Sequence, residues 1–292
     1  MAGARTTCTR RMRGATGVSL GTGWRRALFA WHFGDLNLVI SGNVTAGSRI
    51  LFHRLIQERI HRVAPFLQLD HDPYLVVADQ RAIWLQDAYT VSDALPYSQA
   101  DRDGVNYIRN SVKITLDAYD GTATFYVADP ADPLVRTYAR IFPTLFRPLE
   151  AMSPSLRQHS RYPEDLFRLQ AAVYATYHMT DPEVFYNKED QWSFPQVTVN
   201  GKTAAMQPYY TIMRLPGEAR EEFILMLPMV PNKRDNMIAW LAARGLGSVK
   251  HDTREKLDRA GLSAVWAPSI TCSHQKIQRA RNGIRLVRLG SR

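Results

Sequence analysis

The sequence predicts an α+β fold, antiparallel hairpins packed with amphipathic helices, and three features carry that prediction. Two alternating runs, Val112–Tyr119 and Thr122–Val127, flank Asp120–Gly121, a pair that supplies the positive φ angles of a tight hairpin turn. The stretches SRILFHRLIQERIHRV (Ser48–Val63) and RYPEDLFRLQAAVYATYH (helical from about Pro163) repeat apolar residues at three- and four-residue spacing. No apolar run approaches the ~18–20 residues needed to span a bilayer. The longest are FILMLPMV (Phe223–Val230) and ALFAWHF (Ala27–Phe33).

Along the chain, Ser48 is placed to cap the first helix, and Pro65 closes it. PYLVVAD and AIWLQDAYT then read as two strands on either side of a turn at Gln80–Arg81. In the Asp-Gly hairpin, Val112, Ile114 and Leu116 share one face, with Lys113, Thr115 and Asp117 on the other. Asp132–Pro133 and Ser153–Pro154 each set a capping side chain before a proline at the first helical position. The helix from Pro163 carries Leu166, Phe167, Gln170, Val173, Tyr174 and Tyr177 as its core stripe. YYTIMRL and EEFILMLPMV read as strands joined by a PGEAR turn, and RDNMIAWLAAR as the start of a further helix.

Composition (45% hydrophobic, 22% charged) is that of a globular chain. The net charge of +10 is concentrated at the two ends. Residues 1–26 hold six arginines and no acid, and residues 245–292 hold ten Lys/Arg against three acids. Residues 27–244 hold 21 Lys/Arg against 24 acids, so a nucleic-acid face on the body is not indicated. This divides the chain into a basic leader (1–26) expected to be disordered, an α+β domain (27–244), and a basic tail (245–292) also expected to be disordered. Cys8 and Cys272 form no metal-type pair and no disulfide framework.

Three stretches invite chemistry. MTDPEVFYNKEDQW (Met179–Trp192) gathers Asp181, Glu183, Glu189 and Asp190, enough carboxylates for acid–base work. A scaffold accounts for the same residues: Asp181–Pro182 starts a helix, Glu183 complements its dipole, Val184 and Phe185 pack inward, Asn187 ends it in a left-handed conformation, and Trp192 anchors the exit. LDHDP (Leu69–Pro73) offers Asp70, His71 and Asp72 to a metal, or simply turns into the strand at Tyr74, and spacing identifies no second ligand group. GVSLG (Gly17–Gly21) matches a nucleophile elbow without the strand that must deliver its serine. NVT (Asn43–Thr45) fits a glycosylation sequon, which signifies nothing without a secretory context. No catalytic, cofactor-binding or metal-binding residue is therefore assigned from the sequence.

Long strings of the body resemble uncharacterised protein family 0182. FGDLNLVISGNVTAGSRILFHRLIQERIHRVAPFLQLDHDPYLVV, GVNYIRNSVKITLDAYDGTATFYVADPADP, RYPEDLFRLQAAVYATYHMTDPEVFYNKEDQW and MQPYYTIMRLPGEAREEFILMLPMVPNKRDNMIAWLAAR carry the likeness, from about Trp24 to Arg244. The resemblance implies a bacterial multi-pass membrane protein with a large extracytoplasmic region, of which this chain matches the start. It supplies no activity, cofactor or site residue. It also leads to the expectation of a truncated gene, whose membrane helices before Trp24 are missing and whose tail is out of frame. A structural or interaction module of the cell envelope is the reading that follows, with membrane association through the missing helices. The alternatives are a carboxylate-dependent hydrolase of envelope material and a basic-tail binder of nucleic acid or anionic lipid.

Overall fold

The computed structural model describes residues 17–245 except 102, 215–220 and 235, together with the strand pairing of 278–279 and 284–288. The PGEAR turn, both cysteines and most of the basic tail lie outside the described residues.

The chain opens with β1 (Val18–Ser19), α1 (Gly23–Phe33), α2 (Asn37–Ile40) and β2 (Arg49–Ile50), β1 pairing antiparallel with β2. Thus α1 runs across position 26, where the charge pattern changes. Next comes α3 (Ile56–Val63), so the helix expected from Ser48 starts eight residues late. His53 takes a positive φ of 52°, which breaks the helix path. Arg59 then binds the freed carbonyls of Phe52 (3.0 Å) and His53 (2.9 Å). Phe52 packs instead on Phe29 and Phe33 of α1.

The first sheet contains β3 (Gln68–Leu69), β4 (Tyr74–Ala78), β5 (Arg81–Ser92), β6 (Tyr107–Asp117) and β7 (Ala123–Val127), with α4 (Pro133–Ile141) leading to β8 (Phe146–Pro148). Its order is β3-β5-β6-β7-β8, with β4 also on β5, and every pairing is antiparallel except β7 with β8. The β4–β5 turn sits one residue earlier than expected, at Asp79 (φ 52°) and Gln80 (φ 61°), the double left-handed geometry of a two-residue hairpin. The Asp120–Gly121 connection is wider than the expected two residues. Asp117 pairs with Thr122 (3.0 Å), its carboxylate accepts the N–H groups of Tyr119 and Asp120, and Gly121 supplies the positive φ of 68°.

Ile114 and its face neighbours pack on α3 and α4 through Ile60, Ala64 and Val135. The opposite face was expected to be the polar one. Lys113 and Thr115 are nevertheless buried there, and Lys113 forms a cross-strand ion pair with buried Asp87. The sheet is covered on both sides, so alternation marks two cores rather than a core and a solvent face.

The helices α5 (Pro154–Gln158), α6 (Glu164–Tyr177) and α7 (Pro182–Asn187) follow. Ser153 caps α5, as its sequence context predicts. The second sheet holds β9 (Trp192–Ser193), β12 (Tyr209–Met213), β13 (Glu222–Pro231) and β14 (Ala239–Arg244), while β10 (Gln196–Val199) and β11 (Lys202–Ala205) form a separate exposed hairpin. The strands β15 (Gln278–Arg279) and β16 (Ile284–Arg288) extend the second sheet beyond β14.

Two expectations are corrected here. The RDNMIAWLAAR stretch forms β14, not a helix. Ala239–Ala243 are all buried, so the strand reads as a continuous apolar run whose period is ambiguous, and pairing with β13 overrides the helix propensity of Ala and Leu. The core face of α6 runs through Phe167, Ala171, Tyr174 and Ala175, with Tyr177 outside it. That face packs on Trp192, Leu225, Leu227 and Leu241 of the second sheet, while Leu166 reaches Tyr89 and Ile108 of the first. Helix α6 thus packs on both sheets.

Candidate functional site

The four carboxylates of the Met179–Trp192 stretch do not converge. Asp181 caps α7, accepting the N–H groups of Glu183 (2.8 Å) and Val184 (3.2 Å). Glu183 is exposed, and exposed Glu189 accepts from the Asn187 amide at 3.2 Å. Asp190 alone meets a titratable partner, Nε2 of buried His178 at 3.6 Å. Phe185 is exposed at the surface rather than packed inward, resting against Tyr177. The left-handed residue that ends α7 is Lys188 (φ 54°), one position after Asn187. Trp192 is buried as expected and stacks on the His178 ring at 3.8 Å between centroids. The GVSLG serine sits in β1, its hydroxyl accepting the Gly21 N–H at 3.3 Å.

The LDHDP turn gains the partners that spacing concealed. Asp70 ends β3 almost fully buried. Its carboxylate accepts the Asp72 N–H (3.0 Å), the Asp165 N–H (3.2 Å) and the Tyr89 hydroxyl. Asp165 lies in the first turn of α6, 94 residues from His71 in sequence, and its Oδ2 accepts the His71 N–H at 2.9 Å. The His71 ring places Nδ1 2.9 Å from Asp165 Oδ1 and 3.8 Å from Asp70 Oδ1, and Nε2 3.5 Å from Glu164 Oε2. One ligand atom from each of Asp70, His71 and Asp165 lies within 4.8 Å of the others. Burial pushes the Asp70 carboxyl up, against the hydrogen bond from Tyr89. Burial and then Asp72 raise Glu164. Burial pulls the His71 imidazole down, but Asp165, Asp70 and Glu164 outweigh it and the net shift is upward.

An aromatic clamp lies beside this turn. The Arg161 guanidinium is 4.3 Å over the Tyr74 ring, 5.0 Å over Tyr210 and 5.5 Å over Phe223, and 3.9 Å from the Asp72 carboxylate. The Tyr210 hydroxyl donates to the Tyr162 carbonyl at 2.7 Å. Sequence reading missed Arg161, Glu164 and Asp165. The available signal was RYPEDL itself, a basic residue and two carboxylates around a helix start, which on its own reads as dipole complementation.

A second surface stands out at α1. Phe29 and Phe33 pack on Phe52, Phe33 remaining 46% exposed, and Ala30 between them is buried. The outer face carries Trp24 (60% exposed), Leu28 (50%) and Trp31 (83%) at i, i+4 and i+7, and Leu36 and Ile40 further along the chain are also exposed. Arg26 donates to the Leu20 carbonyl at 2.8 Å, which fixes the helix to the preceding turn.

These features define an α+β module of two sheets that both pack on one helix, with an acidic–imidazole cluster at the start of that helix and an apolar stripe on the chain's first helix. Comparison supplies the particular identity: the chain belongs to the Uncharacterised protein family (UPF0182), which matches over residues 3–255. Among its relatives, the UPF0182 protein of Cupriavidus necator is 59% identical over 238 residues, covering 80% of this chain and 26% of that protein. That of Bradyrhizobium diazoefficiens is 56% identical over 232 residues (79% and 25%), and that of Moorella thermoacetica 52% over 237 (81% and 26%). The chain thus spans about a quarter of the length of these relatives. Their names state no activity. No solved structure matches.

Proposed function

We propose that this chain is an interaction module of a membrane-associated envelope protein, held against the lipid surface by α1 on the extracytoplasmic side. The observation that carries this reading is the outward stripe of Trp24, Leu28 and Trp31. A helix that is apolar on both faces has a second covering besides its own core. Indole rings favour the headgroup boundary, where one edge is wet and the other apolar. Among the described residues no helix is long and apolar enough to cross a membrane; an apolar stripe on a short helix suits the plane of an interface. Charge is compatible with an anionic surface: Arg25 and Arg26 lie in the first turn of the helix, and residues 1–26 together carry six arginines and no acid. Burying the three side chains at the interface yields on the order of 3–6 kcal/mol of gross transfer energy.

Co-sedimentation of the full chain with phosphatidylglycerol-containing vesicles tests the reading. The chain is expected to pellet with the vesicles, and Leu28→Glu with Trp31→Glu to reduce the bound fraction at least tenfold without changing the circular dichroism spectrum. Equal recovery of wild type and double variant in the supernatant would assign the stripe to a protein contact instead.

A further inference from the structure

We infer that His71, Asp70 and Asp165, with Glu164 at the rim, form a binding site for a divalent transition-metal ion of the Mn(II) or Zn(II) class, clipping the turn after β3 to the start of α6. The ligand set is mixed rather than merely acidic. The imidazole, 60% exposed, has a carboxylate oxygen near each ring nitrogen, and the His71 backbone N–H donates to Asp165. Metal–ligand bonds of about 2.1 Å separate adjacent ligand atoms by roughly 3–4 Å. One donor atom from each of the three residues lies within 4.8 Å of the others, close to that spacing.

Charge is the second, independent observation. Asp70 is 2% exposed, and among the described residues the only cationic group within ion-pair distance of it is the His71 ring at 3.8 Å. Asp70, Asp72, Glu164 and Asp165 together face that imidazole and the guanidinium of Arg161, itself 3.9 Å from Asp72. One helix N-terminus adds only a partial positive charge, so carboxylates outnumber cationic groups at the site. A divalent cation cancels that excess. The outer layer is already in place, since the Tyr89 hydroxyl and the Asp72 and Asp165 N–H groups hold the Asp70 carboxylate in orientation. A nitrogen donor among oxygens favours Mn(II) or Zn(II) over Mg(II) and Ca(II), which take oxygen alone.

This site is independent of the membrane stripe. The test is calorimetric titration of the chelator-treated full chain with MnCl2 and with ZnCl2, followed by pulsed electron paramagnetic resonance of the Mn(II) form. Saturable one-to-one binding is expected, with an imidazole nitrogen coupling to the bound Mn(II). His71→Ala should abolish that coupling, and His71→Ala or Asp165→Asn should weaken binding at least tenfold. Glu189→Gln should change nothing. Asp165→Asn keeps the size of the side chain, which separates loss of a ligand from loss of fold. Absence of binding to the folded wild type, or binding that both variants retain with the nitrogen coupling intact, would overturn the assignment.

Discussion

The Arg161 guanidinium lies 4.3 Å over the ring of Tyr74, and the Arg161 N–H donates to the hydroxyl of the same tyrosine at 2.9 Å. Tyr74 belongs to the first sheet, while the two other rings under the guanidinium, Tyr210 and Phe223, belong to the second. Arg161→Ala is expected to cost about 2 kcal/mol in a urea titration, through lost stacking and lost packing of the arginine stem. Arg161→Lys should recover little, because an ammonium cannot lay a flat face on a ring.

Asp132 makes a prediction about acid. Burial pushes its carboxyl up, but hydrogen bonds from Ser111, Thr90 and Tyr107 and from the Leu134 N–H outweigh it, and the carboxyl sits below its usual value. A depressed folded-state value contributes stability above the unfolded aspartate range, and that contribution is lost as pH falls through the folded value. Thermal stability should therefore fall below about pH 4, and Asp132→Asn should flatten that acid slope. Asp132→Ala should cost on the order of 3 kcal/mol at neutral pH, because it strips a helix cap and leaves buried hydroxyls without an acceptor.

Lys113 and Asp87 are both buried and pair with each other across β5 and β6. Lys113→Met alone is expected to cost about 3–5 kcal/mol, since it leaves a buried carboxylate uncompensated. The double change Lys113→Met with Asp87→Leu should regain most of that loss. A chemical-denaturation double-mutant cycle measures the coupling, and simple additivity would contradict it.

Gly121 holds a φ of 68°, and an added Cβ would stand 2.9 Å from the Arg59 guanidinium, which itself donates to the Gly121 carbonyl at 2.8 Å. Gly121→Val should lower stability by about 2 kcal/mol or more, seen as a reduced melting temperature. Gly201 also has a positive φ, of 75°, but its Cβ would meet open space, and Gly201→Asn should cost far less.

Three helix caps were legible because their causes are local, while the Ser48 cap did not form and both hairpin turns differ from the two-residue turns expected. Asp132, Ser153 and Asp181 each announce a helix within a few residues, and each accepts the expected N–H groups. Strand β14 was not legible, because a run buried on both faces has no period to read. The burial of Lys113 was hidden for a related reason: its partner Asp87 comes from another strand, and register is set by the whole sheet. At the candidate site, Asp70 and His71 stood out as residue types, while Asp165 and Glu164 reach them only after the fold closes a 94-residue separation. The run Ala27–Phe33 was legible only as an apolar stretch, and the stripe of Trp24, Leu28 and Trp31 appears only in the folded helix, where Phe52 packs on Phe29 and Phe33.

Membrane seating is the central claim, and tryptophan fluorescence with brominated lipids tests it most directly. Bromine quenches an indole only at near contact, so it reports which rings enter the headgroup boundary. Strong quenching of the wild-type chain is expected from anionic vesicles carrying bromine near the headgroups, with loss of most of that quenching in Trp24→Phe/Trp31→Phe. Wild-type emission unchanged by the brominated vesicles, or quenching that the double variant fully retains, would contradict it.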